Sequence, residues 1–266
     1  MAEQLQFFGA PRASRATNLH FETMSVSSMV RLSRCPQQFY WTVIDPLPRQ
    51  ASAAARLGHD IHRWIELRSV GQYRFDEPEV PVNVPSEENR NPATHPAQKG
   101  QTAAVEKKLK GSWLSSRFSE MIPRFTERAF VLALPGGLSV GGRIDAVYVH
   151  EDGSWELVDY KTGLEPDHAD PFAWLQLAIY SLAAQEIWKV DPRRLKLTYF
   201  YLATGRADPV SATGLTISVD DLSAKFGEVQ AGRFEPRPGT MCRSCDYLRS
   251  CGAGKRHIRR TAPSTD

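Results

Sequence analysis

No G-x-x-x-x-G-K-[ST] phosphate loop occurs in these 266 residues, which excludes a nucleotide-driven motor of that kind within the chain. No apolar run reaches the length of a membrane span. The first twenty residues carry Glu3, Arg12 and Arg15 where a secretory signal would be apolar, so a cytoplasmic protein with no membrane partner is expected. Neither sign of charge is in excess: 33 Lys and Arg against 30 Asp and Glu leave +3. That permits a polyanionic partner without arguing for one. The basic clusters at Lys107, Lys108 and Lys110, at Arg193, Arg194 and Lys196, and at Lys255, Arg256, Arg259 and Arg260 each read as solvated surface charge. Cysteine is scarce. Four in a reducing compartment are poor candidates for structural disulfides, so a metal or cluster is the question to ask of them.

The length suits one elaborated domain with a substantial core, and no internal repeat is found. A flexible tail is expected at 1–22, a single domain at 23–256 and a basic, polar tail at 257–266. From Ser25, "SVSSMVRLSRCPQQFYWTVI" reads as helix, with Ser25 or Ser27 as N-cap and Pro36 restarting a turn after Cys35. "ARLGHDIHRWIEL" reads as a second helix, apolar at Leu57, Ile61, Trp64 and Ile65, with His62 and Glu66 one turn apart on one face. Five prolines and many Glu, Asn and Gln make 75–100 a long polar surface loop. A helix over "TAAVEKKLKGSWLSSRFSEMI" precedes three strands, "RAFVLAL", "LSVGGRIDAVYV" and "WELVDYKT", in an antiparallel meander. A helix from about Pro171 to Trp188, a strand "LKLTYFYLA", a short strand at Leu215 to Val219 and a helix from Asp220 to about Gln230 follow. The predicted class is α/β, a central mixed sheet flanked by helices.

Within the meander, "WELVDYKTG" places Asp159 and Lys161 on the same face of a strand, one pleat repeat apart at roughly 7 Å. In "GGRIDAVYV", strict alternation puts Ile144, Ala146 and Tyr148 on one face and Arg143, Asp145 and Val147 on the other. The hairpin closed by "HEDGSW" can bring Asp145 beside Asp159, since facing residues on antiparallel strands stand about 5 Å apart. Two carboxylates that close repel unless a cation lies between them. Asp145, Asp159 and the carbonyl of Tyr160 could offer three oxygens to a hard divalent ion.

Taken singly, each feature has an ordinary reading. Asp159 and Lys161 make a surface ion pair, His62 is a satisfied half-buried histidine, and Gln176 and Tyr180 are polar groups on a helix face. Taken in order, "GHDIH" at 58–62, "GGRIDAV" at 141–147, "ELVDYKTG" at 156–163 and "QLAIY" at 176–180 resemble the RecB-type branch of the PD-(D/E)xK nucleases. The resemblance implies a restriction-endonuclease-like core. It implies His62, Asp145 and Asp159 as metal ligands, Lys161 as the catalytic lysine, and Gln176 with Tyr180 as a helix motif that supports the site and touches DNA. Ile144 stands where the name-giving proline would be, and Asp159 where glutamate is frequent; neither change removes a required oxygen.

The cysteines fall as Cys35 alone and as "CRSCDYLRSC", Cys242, Cys245 and Cys251. A C-x2-C turn puts two thiolates on one metal and Cys251 adds a third; Cys35 closes the set only if the two ends of the chain meet. Zn²⁺ suits four thiolates, although a zinc ribbon normally uses two close pairs. Some RecB-type nucleases, including the AddB chain and certain CRISPR-associated nucleases, bracket the fold with one early cysteine and a late C-x2-C-x5-C around a [4Fe-4S] cluster. The resemblance therefore implies an iron-sulfur clasp joining the N- and C-terminal segments.

The expected function is a Mg²⁺- or Mn²⁺-dependent DNA nuclease, an exonuclease on single-stranded or frayed ends, with similarity to the nuclease ends of actinobacterial helicase-nucleases pointing to repair or recombination. It would act alone or beside a separate helicase. Two rivals remain: a non-catalytic iron-sulfur module that binds DNA ends or scaffolds such a complex, and a zinc-stabilised hydrolase of another substrate.

Overall fold

The computed structural model describes residues 21–48, 53–70, 96–163, 165 and 172–262. Most of the expected N-terminal tail, the proline-rich stretch before Pro96, and Pro171 lie outside the described residues.

A six-stranded mixed sheet forms the middle layer, from β1 (Thr23–Ser25), β2 (Phe125–Ala133), β3 (Ser139–Val149), β4 (Trp155–Lys161), β5 (Leu195–Tyr201) and β6 (Arg206–Ser211). β2, β3 and β4 make the expected antiparallel meander. β5 runs parallel to β4, and β6 antiparallel to β5. Parallel neighbours require a crossover, and the helix between β4 and β5 is part of it.

Helices cover both faces. On one, α1 (Val26–Arg34), α5 (Leu175–Trp188) and α6 (Val219–Gln230) enclose a core that includes Met29, Leu32, Val147, Leu157, Leu177 and Ile179. On the other, α3 (Ala53–Val70) and α4 (Pro96–Leu114) bring Ile61, Ile65, Leu109 and Trp113 over Val158, Tyr160 and Phe200. This is the expected restriction-endonuclease-like α/β arrangement. It explains why consecutive residues Leu157 and Val158 are both fully buried: β4 is apolar on both sides because both sides are roofed. Glu156, also fully buried, is satisfied by Arg117 Nη2 and Thr198 Oγ1, each donating at 2.6 Å.

Ser25 caps α1 as expected, its hydroxyl accepting the Ser28 N–H at 3.1 Å. The helix does not run unbroken to Ile44. Cys35 is extended (φ −155°, ψ 104°), because a residue before proline is pushed out of the helical region. Pro36 then opens α2 (Pro36–Phe39), and a π-helical turn, Tyr40–Ile44, follows.

Four other expectations are corrected. No strand forms at Leu215 to Val219; Ser218 there caps α6 in a reciprocal capping box with Asp221. The strand beside β5 is instead β6, obscured in the sequence by Pro209, which an edge strand tolerates. α4 begins at Pro96, inside the expected loop, and ends at Leu114 rather than near Ile122, with a short 3-10 turn at Arg117–Ser119. Finally, α7 (Gly252–Thr261) carries helix into the expected polar tail.

Candidate active site and the four-cysteine cavity

β2 pairs along most of one edge of β3, so β1 and β4 share the other edge. β1 pairs only as far as Gly141 and β4 only from Ala146 onward, leaving 142–145 without a strand partner there. Freed backbone groups in such a gap must find other partners. The Tyr160 N–H donates to Asp145 Oδ2 at 2.7 Å, and the Arg143 carbonyl accepts from the Tyr180 hydroxyl at 2.7 Å. Asp145 and Tyr180 therefore close the ends of a parting between two strands. The candidate site lies in that parting.

Asp145 also marks a break in alternation. Ile144 and Val147 belong to one core, whereas Ala146 and Tyr148 belong to the other, so the expectation that Ile144, Ala146 and Tyr148 share a face is corrected. The cause lies across the strand pair. Arg128 faces Ile144 and Thr126 faces Ala146, and Glu127 between them has φ +46°, a left-handed backbone in the middle of a strand.

From β4, Asp159 and Lys161 emerge together as predicted. Lys161 Nζ lies 2.7 Å from Asp159 Oδ2 and donates to Gln176 Oε1 at 2.7 Å. Gln176 Nε2 donates to Asp159 Oδ1 at 2.6 Å and to the Tyr180 hydroxyl at 2.8 Å. Gln176 and Tyr180, one turn apart at the start of α5, thus hold both the acid and the amine. The Lys161 ammonium also lies over the Tyr199 ring at 4.9 Å. Asp159 Oδ2 is buried and, despite the nearby ammonium, has no partner in hydrogen-bond geometry.

α3 supplies the histidine. A Cβ on Gly58 would come within 3.1 Å of Thr162 Oγ1, so glycine lets this helix press against the end of β4. One turn on, His62 Nδ1 stands 3.3 Å from Asp145 Oδ1. Ligand atoms of His62, Asp145 and Glu127 all lie within 4.8 Å of one another. Asp159 is outside that trio but feels the charges of Asp145 and His62. Tyr160 contributes its amide to Asp145, and its ring faces the core, hydroxyl to hydroxyl with Tyr148 at 3.1 Å. Glu127 is the residue that sequence reasoning missed. Only its place opposite Asp145, three strand residues before Phe130, could have signalled it.

The charges reflect this crowding. Burial alone would lower the His62 pKa, but the charge of Asp145 and its hydrogen bond, with Asp159 and Glu127 beyond, raise it to about 9. Burial and then Asp145 push Glu127 up to about 7, against the pull of His62. Burial also raises Asp159, offset in part by Lys161. Three carboxylates against one lysine and one histidine draw positive charge, and either a proton or a divalent ion answers it. Oxygen donors with one imidazole fit such an ion.

The cysteines meet as well. Cys35, Cys242, Cys245 and Cys251 line one cavity of about 300 Å³, together with Trp41, Phe172, Arg237, Met241 and Leu248. Gly239 N–H donates to Cys242 Sγ at 3.4 Å and Gly254 N–H to Cys251 Sγ at 3.2 Å. Burial, and then the neighbouring sulfurs of Cys35, Cys242 and Cys251, push the Cys245 thiol up. Among the described residues the histidine and two acids are the only trio of ligand atoms within 4.8 Å, so no three sulfurs are that close. Arg237 ties the late segment to α1 through the Ser33 carbonyl.

A family model, the PD-(D/E)XK nuclease superfamily, matches residues 23–252. The solved structure of SSO0001 is 14% identical, covers 88% of this chain and 87% of its own, and gives a TM-score of 0.44. A "Putative exonuclease" from Eubacterium rectale is 15% identical over 91% of this chain and 94% of its own, with a TM-score of 0.47. No curated protein matches the sequence. On the family match, the chain belongs to the PD-(D/E)XK nuclease superfamily.

Proposed function

We propose that this member of the nuclease superfamily is a Mg²⁺- or Mn²⁺-dependent deoxyribonuclease, an exonuclease on single-stranded or frayed ends in repair or recombination. One observation carries the reading: His62 and Asp145 meet at 3.3 Å in the strand parting where Gln176 grips both Asp159 and Lys161.

His62, Asp145, Asp159 and the Tyr160 carbonyl are the groups that would hold the ion. When bound, a divalent ion supplies charge neutralisation on the phosphoryl oxygens and acidifies the attacking water. Lys161 acts from this chain's side. Its side chain is one-third exposed, enough to meet a substrate phosphate, and two acceptors fix its direction. A fixed ammonium orients the water and offsets charge that builds as the phosphoryl group is attacked. Tyr180, buried and with its pKa held well above the ordinary value, stays protonated; its donation to the Arg143 carbonyl keeps Gln176 in place. These 266 residues hold no phosphate loop, so a helicase that opens duplex for them is part of the proposal.

The same proposal makes Cys35, Cys242, Cys245 and Cys251 the ligands of a [4Fe-4S] cluster. Convergence of all four thiols on one cavity supports it, as do the two N–H groups aimed at sulfur, a common way of tuning such clusters. Zn²⁺ also suits four thiolates, and the metal content of the purified protein decides between the two.

Digestion of 5′- and 3′-labelled single-stranded and duplex DNA with Mg²⁺, Mn²⁺ or EDTA tests the activity. Metal-dependent shortening of single strands from one end is expected; binding without cleavage in either metal overturns the proposal. For the clasp, anaerobically purified protein should be brown and contain iron and sulfide, and zinc without iron refutes it.

A further inference from the structure

The left-handed backbone at Glu127 stands out, because nothing local requires it. β2 is paired with β3 on both sides of the position, and no turn follows. A non-glycine residue held in that region is strained, and such strain persists only where the surroundings over-determine it. What this conformation achieves is directional. The core assignments of both strands switch here, and the carboxylate arrives within 4.8 Å of ligand atoms of His62 and Asp145. Arg143 is 3.8 Å away, too far for a close ion pair, and the imidazole of His62 is engaged by Asp145 at 3.3 Å. Without a metal ion, the chain would spend backbone strain to bring two carboxylates to one imidazole.

We propose that Glu127 is a further ligand of the divalent ion, delivered from β2, and that its strained backbone is the device that aims it. The inference rests on the nuclease reading and extends it. The ion is then held by the trio of His62 from α3, Asp145 from β3 and Glu127 from β2 together with Asp159 and the Tyr160 carbonyl of β4, Glu127 coming from a strand whose sequence carries no motif.

Glu127→Gln keeps the shape and removes the charged donor; Glu127→Gly removes the donor and also relieves the strain. Mn²⁺ affinity would be measured calorimetrically on both variants and the parent, with the Tm of each in EDTA and in saturating Mn²⁺. Both variants should bind Mn²⁺ at least about tenfold more weakly and lose most of the metal-induced rise in Tm. In EDTA, Glu127→Gly should melt at or above the parent's temperature. Parent-like Mn²⁺ affinity in both variants, with the parent cleaving DNA, overturns this inference and leaves the nuclease reading standing. A parent that neither binds Mn²⁺ nor cleaves DNA overturns both.

Discussion

At the end of β4, each candidate side chain stands on a strand or on a helix packed against the sheet, and most are held by a neighbour: Lys161 and Asp159 by Gln176, Gln176 by Tyr180, and the Tyr160 amide by Asp145. Around the cysteines the backbone is of another kind. Cys35 sits extended between two helices, Cys242 lies in a 3-10 turn, and Cys251 caps the start of α7. The first region is organised by the sheet before any ligand arrives. The second joins segments more than two hundred residues apart through a few ties, Arg237 on the Ser33 carbonyl and Tyr247 against Thr42 and Trp41, to which a group held by the four free thiols would add. Loss of a side chain in the first should therefore cost chemistry; loss in the second should cost folding.

Predictions can break or sharpen that contrast. Lys161→Ala should lower turnover by about 10³-fold, roughly 4 kcal/mol of transition-state stabilisation, in single-turnover cleavage assays with Tm nearly unchanged. A large fall in Tm would show that the amine also supports the fold, and the contrast would weaken. Cys245→Ser should behave oppositely: visible absorbance lost and Tm lowered by many degrees in calorimetry, with any remaining folded protein still cleaving DNA. Unchanged Tm would mean that the cavity clasps nothing. Gln176→Ala should reduce kcat by about 10- to 100-fold with KM little changed, because the lysine and Asp159 lose their shared partner rather than the substrate losing a contact. A change confined to KM would assign Gln176 to DNA binding instead.

The smallest effect concerns Glu156, inside the sheet and away from both sites. Burial would raise its pKa, but hydrogen bonds from Arg117 and Thr198 and the charge of Arg117 outweigh it, so the pKa falls below its ordinary 4.5. Its folded value is the lower one, hence its contribution to stability is complete above about pH 4.5 and is lost as pH drops through that folded value. Tm measured from pH 6 downward should show this acid limb, and Glu156→Gln should flatten it. An unaltered limb would place acid sensitivity in the other carboxylates.

Several elements were legible in the linear pattern because local rules decided them. Ser25 caps a helix, the meander follows from alternating apolar residues and Gly-rich turns, and Asp159 and Lys161 share a face because the pleat repeats every second residue. β6 and α7 were not legible. Pro209 disguises an edge strand, and a helix as basic as 252–261 forms behind a cap provided by Cys251, whose sulfur accepts the Gly254 N–H.

By itself, the sequence determined which groups were available and in what order: one histidine on a helix, two aspartates and a lysine on adjacent strands, a Gln-Tyr pair one turn apart and four cysteines at the two ends. Only the tertiary structure decided where β4 leaves β3 and that the carboxylate of Asp145 takes up the amide this frees. It alone turned Glu127 inward and brought Cys35 to the late cysteines. The reason is physical. Periodicity and capping act over a few neighbouring residues, whereas strand parting, a left-handed residue opposite an acid and the meeting of distant ends depend on packing between elements that no local pattern encodes.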